Sequence, residues 1–195
     1  MKSKLILASA SPRRLDLLKR MGFAPDEVIP ADIDESVKKG EKPEQYVVRV
    51  AEEKAYAIIN NKLAPDDAFV LSADTTVVCA NQIIGKPEDR ADAKRIMNLL
   101  CGRKHRVLTA VCIIAPNGDK RSKLVETSVK FKNANDHEIE EYLDTNEWIG
   151  KAGAYGLQGD PGGFCISING SFSSVVGLPM YETKNILLSL GFKKQ

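Results

Sequence analysis

Residues 68–80 read AFVLSADTTVVCA, an apolar run with a single charge at Asp74. Loop-forming "APDD" precedes it and "NQIIGKP" follows, so it reads as one strongly apolar strand. Asp74 falls where "AFVL" gives out, at the carboxyl end of that apolar stretch, which is where open α/β sheets place their ligands. A carboxylate entering a buried strand is costly unless it is paired or bound to metal. An aspartate capping a turn is the alternative, but Thr75 and Thr76 continue a strand pattern rather than a turn.

Helices and strands alternate on either side of this run. Leu5–Ala8 reads as a short buried strand, and from Leu15 to Met21 the apolar spacing turns helical until Gly22 ends it. A short strand near Glu27–Ile29 leads into the acidic "PADIDES", and Pro43 starts a helix that runs to about Asn60. Downstream come a turn or hairpin through "NQIIGKP", a helix ending near Cys101-Gly102, and two extended stretches joined at Asn117-Gly118, a strong hairpin signal. The helix "DHEIEEYLD", the glycine-rich "GKAGAYGLQGDPGG", the strand "FCISING" and a helix from Pro179 to about Leu190 complete the pattern. A hairpin amid alternating helices and strands predicts an α/β fold with a mixed central sheet flanked by helices.

The 195 residues suit a single domain, 1–195. Twenty-eight basic against 26 acidic side chains leave a charge of +2, so no strong field draws the chain to nucleic acid or membranes. Cys79, Cys101, Cys112 and Cys165 lack C-x-x-C spacing and sit in apolar contexts, as reduced core thiols of a cytoplasmic protein do. The amino terminus imitates a signal peptide, with Lys2 and Lys4 before Leu5-Ile6-Leu7-Ala8. Its apolar stretch falls short of the ~7 residues such a signal needs. No segment approaches the ~18 consecutive apolar residues of a membrane span, so a soluble, unanchored protein is expected.

Several charges sit where folding alone does not ask for them. Ser11 is a good helix N-cap and Pro12 suits the first helical position, so the turn before Arg13 and Arg14 offers free backbone N–H groups to an anion. Two arginines in a first turn oppose the helix dipole. Either they are solvated or paired with carboxylates, or an anion resolves the conflict. Lys54 lies within about 60° of Val47, Val50, Ala51 and Ile58 on a helical wheel, in the middle of the apolar stripe. It either snorkels to water or is a buried cation facing a charged site; in the second case Lys54→Met is expected to keep or raise thermal stability. Glu35 in "DIDES" and Lys86 in "GKP" sit in loops, where each alone is an ordinary surface charge. With Arg13, Lys54 and Asp74 they form a set of cations and carboxylates suited to phosphoryl chemistry: carboxylates for a hard divalent cation, basic groups for phosphate charge. No P-loop, Rossmann fingerprint or nucleophile elbow is present, and His105 and His137 read as structural.

Taken in order, "SASPRR", the glutamate of "DIDES", the lysine of "AEEKA", "SADTTVV", "IIGKP", "HRVLTAV", "KAGAYGLQG" and "ING…VVGLP" resemble the Maf proteins, nucleoside triphosphate pyrophosphatases, over practically the whole chain. The resemblance implies an architecture related to the inosine-triphosphate pyrophosphatases, with a substrate cleft, and a homodimer. It implies a nucleotide diphosphatase that cuts a triphosphate between its α and β phosphates. It assigns catalysis to Arg13, Glu35, Lys54, Asp74 and Lys86, and it favours the branch acting on dTTP and UTP, with modified pyrimidine nucleotides as further candidates. In that branch Arg13, Thr75 and Gln158 match positions linked to substrate choice.

Combining both lines, Ser9, Ser11, Arg13, Arg14, Thr75 and Gln158 are expected to bind substrate, and Glu35 and Asp74 to hold Mg2+ or Mn2+. Asp74 is the first choice to orient or deprotonate the attacking water, with Glu35 able to exchange roles with it. The partner is a small-molecule nucleoside triphosphate, with neither nucleic acid nor membrane involved. A nucleotide-binding regulator of septum formation, without turnover, is the competing class.

Overall fold

The apolar run at 68–80 is a twelve-residue strand at the heart of the sheet, β3 (Ala68–Cys79). A computed structural model of the chain describes residues 3–194; Lys2, from the signal-like opening, lies outside the described residues. The other strands are β1 (Lys4–Leu7), β2 (Glu27–Val28), β4 (Gln82–Ile84), β5 (Lys104–Ile114), β6 (Lys120–Phe131) and β7 (Cys165–Asn169). They form one seven-stranded sheet in the order β2-β1-β3-β5-β6-β7, with β4 paired to β3. The sheet is mixed: β1 pairs parallel with β2 and β3, while β3–β4 and β6–β7 are antiparallel. The helices are α1 (Pro12–Arg20), α2 (Pro43–Asn60), α3 (Arg90–Leu100), α4 (Asp136–Asp144), α5 (Phe172–Val176) and α6 (Met180–Ser189).

Contacts group the chain into two compact units. The first comprises the residues through Asp74, Thr109–Val125, and Gly177 onward; the second comprises Thr75–Leu108 and Glu126–Val176. In the first unit α1 ends as its sequence dictates. Gly22 adopts φ +71°, and its N–H and that of Phe23 turn back to the carbonyls of Lys19 and Leu18. Phe23, Phe69 and Phe192 then pack as a tilted and edge-on trio, with centroids 5.7 and 5.2 Å from Phe192. The turn after β5 closes through Asn117-Gly118, with Gly118 at φ +85°.

In the second unit the β3–β4 link is a tight turn with Ala80 and Asn81 both left-handed, at φ 49° and 61°, as a two-residue hairpin loop requires. Asp89 caps α3 by accepting from the Asp92 N–H, and Asn135 with Glu138 forms a reciprocal capping box on α4. The core of this unit gathers Ile96, Met97 and Leu100 of α3, Ile139 and Tyr142 of α4, and Phe131 and Phe164.

Local reading departs from the structure in a few places. Ser11 occupies the N-cap position of α1, but its side chain makes no capping bond; the Ser9 hydroxyl instead accepts from the Ser11 N–H at 3.2 Å. Helix α5 escapes prediction because five residues with two serines and two valines carry no helical period. Three cysteines are buried and all four are free, yet Cys165 is partly exposed at the start of β7 rather than in the core.

Candidate active site

Two adjacent elements of the first unit place an ammonium against a carboxylate. Along β3, Ser72, Asp74 and Thr76 share one face by strand alternation. Ser72 donates its hydroxyl to the Ala51 carbonyl of α2 at 2.5 Å. Three residues along the helix from Ala51 and two along the strand from Ser72 bring Lys54 over Asp74. The Lys54 Nζ lies 2.9 Å from Asp74 Oδ1 and 3.0 Å from Glu35 Oε1. Side-chain exposure is 10% for Lys54, 8% for Asp74 and 40% for Glu35, so the ammonium does not snorkel but is clamped between carboxylates. This overturns the expectation that Lys54→Met would keep or raise stability. Removing the cation strands a buried carboxylate, and that is the costly way to break such a pair.

Glu35 reaches this place from a loop, and the loop is tied down by a residue that sequence reading does not single out. Arg49 on α2 donates Nε and Nη2 to the Glu41 carboxylate at 2.6 and 2.8 Å, Nη1 to Glu53 at 2.7 Å and Nη2 to the Ser36 carbonyl at 2.9 Å. The guanidinium holds the Glu41 carboxyl down at about 2. Arg49 thereby anchors the segment immediately after Glu35. Tyr46 belongs to the same neighbourhood: burial, then the charges of Asp74 and Glu35, push its phenol up to about 12. The i,i+4 spacing of Arg49 and Glu53 is the one sequence signal for this hub; Tyr46 offers none beyond lying one helical turn before Arg49.

The turn before α1 is organised by Arg14. Its Nη1 donates to Ser9 Oγ at 3.0 Å and its Nε to the Gly177 carbonyl at 2.9 Å, tying "SASPRR" to "VVGLP". Burial lowers the Arg14 pKa, the Asp74 carboxylate raises it, Arg13 lowers it and Glu35 raises it, so all four charges share one electrostatic neighbourhood. Arg13 is half-buried, and burial lowers its pKa too. Pro12 at the first helical position has no N–H, and no acidic residue stands in the first turn to answer the helix dipole.

Within the second unit, Thr75 follows Asp74 on β3 with its side chain on the opposite face, partly exposed. Lys86 is exposed in the loop after β4, and Gln158 is exposed in the glycine-rich segment. These two loops are joined by a backbone bond, Gly153 N–H to Gly85 carbonyl at 2.9 Å. His105 is buried in β5, and His137 is exposed on α4 beside Glu141 at 3.4 Å.

A family model described as Maf-like protein matches residues 4–190, nearly the whole chain. The chain belongs to the Maf family. A dTTP/UTP pyrophosphatase of Caulobacter vibrioides is 50% identical over 189 residues, 97% of this chain and 96% of its own. Another dTTP/UTP pyrophosphatase, from Novosphingobium aromaticivorans, is 50% identical over 188 residues, 96% of this chain and 92% of its own. Among solved structures, a HAM1 protein from Coxiella burnetii aligns with TM-score 0.50 at 13% identity, covering 96% of this chain and 99% of that one, a likeness of fold alone. The mixed sheet flanked by helices is the fold class that the sequence predicts.

The donor set of this Maf chain can be tested against a divalent cation. Among the described residues no group of three or more His, Cys, Asp or Glu is arranged as a metal site. Glu35 and Asp74 nevertheless direct carboxylate oxygens to a common point, 3.0 and 2.9 Å away, where the Lys54 ammonium sits. One or two carboxylates completed by substrate phosphates and water is how Mg2+ is ordinarily held, so the pair fits a cation that arrives with a polyphosphate. Among the described residues no helix is long and apolar enough to cross a membrane.

Proposed function

We propose that this Maf protein hydrolyses dTTP and UTP, and modified pyrimidine nucleotides of similar shape, to the nucleoside monophosphate and pyrophosphate. The observation that carries this reading is the clamped Lys54, whose ammonium holds the Asp74 and Glu35 carboxylates together in the neighbourhood of Arg13 and Arg14. Relatives 50% identical over nearly the whole chain and named dTTP/UTP pyrophosphatase support the choice of substrate.

Water attacks the α-phosphorus; the new P–O bond forms as the α–β bridging bond breaks, and the bridging oxygen leaves with pyrophosphate. Asp74 accepts the proton of the attacking water. Lys54 keeps two mutually repelling carboxylates in place, so the base is positioned before substrate arrives. Arg13 and Lys86 offset charge on the phosphates, while Ser9, Ser11 and Arg14 shape the turn that receives one of them. Thr75 and Gln158 read the nucleobase; the Gln158 amide offers an acceptor and a donor to a pyrimidine edge. Glu35 and Asp74 would hold Mg2+ or Mn2+ arriving with the nucleotide, and the ion would supply Lewis-acid charge compensation for the phosphates. The enzyme works on free nucleotides in the cytoplasm as a homodimer, without nucleic acid or membrane.

Incubation with a panel of canonical and modified triphosphates and Mg2+ or Mn2+, followed by chromatographic identification of products, tests this. The expected products are dTMP or UMP with pyrophosphate. Orthophosphate with a diphosphate would instead make the protein a γ-phosphatase, and tight binding of dTTP without turnover would make it a regulator.

A further inference from the structure

Within the second unit, three hydrogen bonds converge on the glycine-rich segment, two of them made by buried side chains. Tyr142, fully buried on α4, donates its hydroxyl to the Ala154 carbonyl at 2.8 Å. The Tyr155 hydroxyl lies 2.8 Å from Nε2 of His105 on β5. The Gly153 N–H donates to Gly85, next to Lys86, at 2.9 Å. The backbone they hold is unusual: Gly153 and Ala154 are consecutive left-handed residues, at φ 71° and 59°. An alanine in that region is strained, and such strain persists only where surroundings over-determine it. Close packing adds to the constraint, since a Cβ on Gly153 would stand 2.7 Å from Val77 Cγ2.

Filling space does not account for the His105–Tyr155 pair. His105 is 2% exposed and packs edge-on against Phe131, with centroids 4.9 Å apart. Its Nδ1 has no hydrogen-bond partner among the described residues. A neutral imidazole and a phenol bring two polar hydrogens, and the bond between them uses one. An apolar pair of the same size would avoid burying the other. What the polar pair adds is direction: the tyrosine hydroxyl is pinned to a central strand, and with it the backbone two to three residues before Gln158.

We propose that His105 and Tyr155, supported by Tyr142, are positioning residues for nucleotide recognition, holding the Gln158 segment and the tethered Lys86 loop as one preorganised body. This rests on the pyrophosphatase reading, in which Gln158 and Lys86 meet the nucleotide. Neither His105 nor Tyr155 touches substrate; they act by keeping residues 151–159 and 85–86 from relaxing when the base binds.

The test is Tyr155→Phe, which keeps the ring and removes the hydroxyl. Its KM for dTTP should rise about tenfold with kcat within about twofold, well short of the ~100-fold that misplaced chemistry can cost. Preference for dTTP over dCTP, as a ratio of kcat/KM, should fall by a similar factor. Ile139→Val, in the same core, should lower melting temperature while leaving KM and preference unchanged. His105→Leu with Tyr155→Phe should recover stability while KM stays raised. Should Tyr155→Phe not fold, Tyr142→Phe, which removes the hydroxyl bonded to the Ala154 carbonyl, should move KM in the same direction. Wild-type KM and preference in a folded Tyr155→Phe protein, or their recovery in the double variant, overturn the proposal while leaving dTTP hydrolysis intact. Absence of dTTP and UTP hydrolysis in the wild type sinks the underlying reading instead.

Discussion

Lys54→Met separates a clamped cation from a snorkelling one by stability alone, independent of any assay of turnover. Methionine fills the volume of the lysine stem, so little cavity is created. What changes is charge: Asp74, 8% exposed, loses the ammonium 2.9 Å away. Glu35, 40% exposed, can turn to water and contributes less. Stranding one partner of a buried pair costs ~3–5 kcal/mol, and with one carboxylate solvent-accessible the lower end applies, about 3 kcal/mol. For a chain of this size that lowers the melting temperature by about 6–12 °C. Thermal unfolding followed by circular dichroism at pH 7 reads it directly. The second arm is Lys54→Met with Asp74→Leu, which removes both buried charges and should restore most of the loss. A Lys54→Met protein melting within about 2 °C of wild type would mean that the ammonium neutralises nothing buried, and the clamp would be discarded together with the site built on it.

Asp74→Asn should reduce turnover by ~10²–10⁴ while shifting melting by only about 4 °C, because the amide still accepts from Lys54; pyrophosphate release and a melting curve on one preparation check this, and restored turnover would move the base elsewhere. Burial pushes the His105 pKa from 6.5 down to about 4. The unfolded chain protonates this ring below about 6.5, and the folded chain refuses the proton until about 4. Its contribution, up to about 3 kcal/mol, is therefore present above the unfolded value and lost as pH falls through that window. Denaturant titrations between pH 7 and 4 should show wild type losing stability faster than His105→Leu, and parallel curves would refute it. Gly153→Ala meets both a left-handed φ of 71° and Val77 Cγ2 at 2.7 Å, so a loss of about 2–4 kcal/mol is expected in denaturant unfolding; an unchanged midpoint would mean that the segment relaxes freely.

The sequence by itself determines what neighbours along the chain can decide. The β3 strand, the helix from Pro43 and the turn at Asn117-Gly118 are legible because side-chain period, the φ of proline and the left-handed tolerance of glycine act within a few residues. The oddity of Lys54 is legible for the same reason, as a charge in the wrong place on a helical wheel. Its fate is not, because snorkelling and clamping differ only in where Glu35 and Asp74 come to rest, and that depends on Ser72 registering β3 against α2. Arg49 gripping the loop after Glu35, Arg14 reaching Gly177 and the His105–Tyr155 bond joining residues 50 apart in the chain are likewise decided only by tertiary structure. Hydrogen bonds and buried ion pairs act over about 3 Å. Chain proximity predicts period and turn, and only packing brings distant charges within that range.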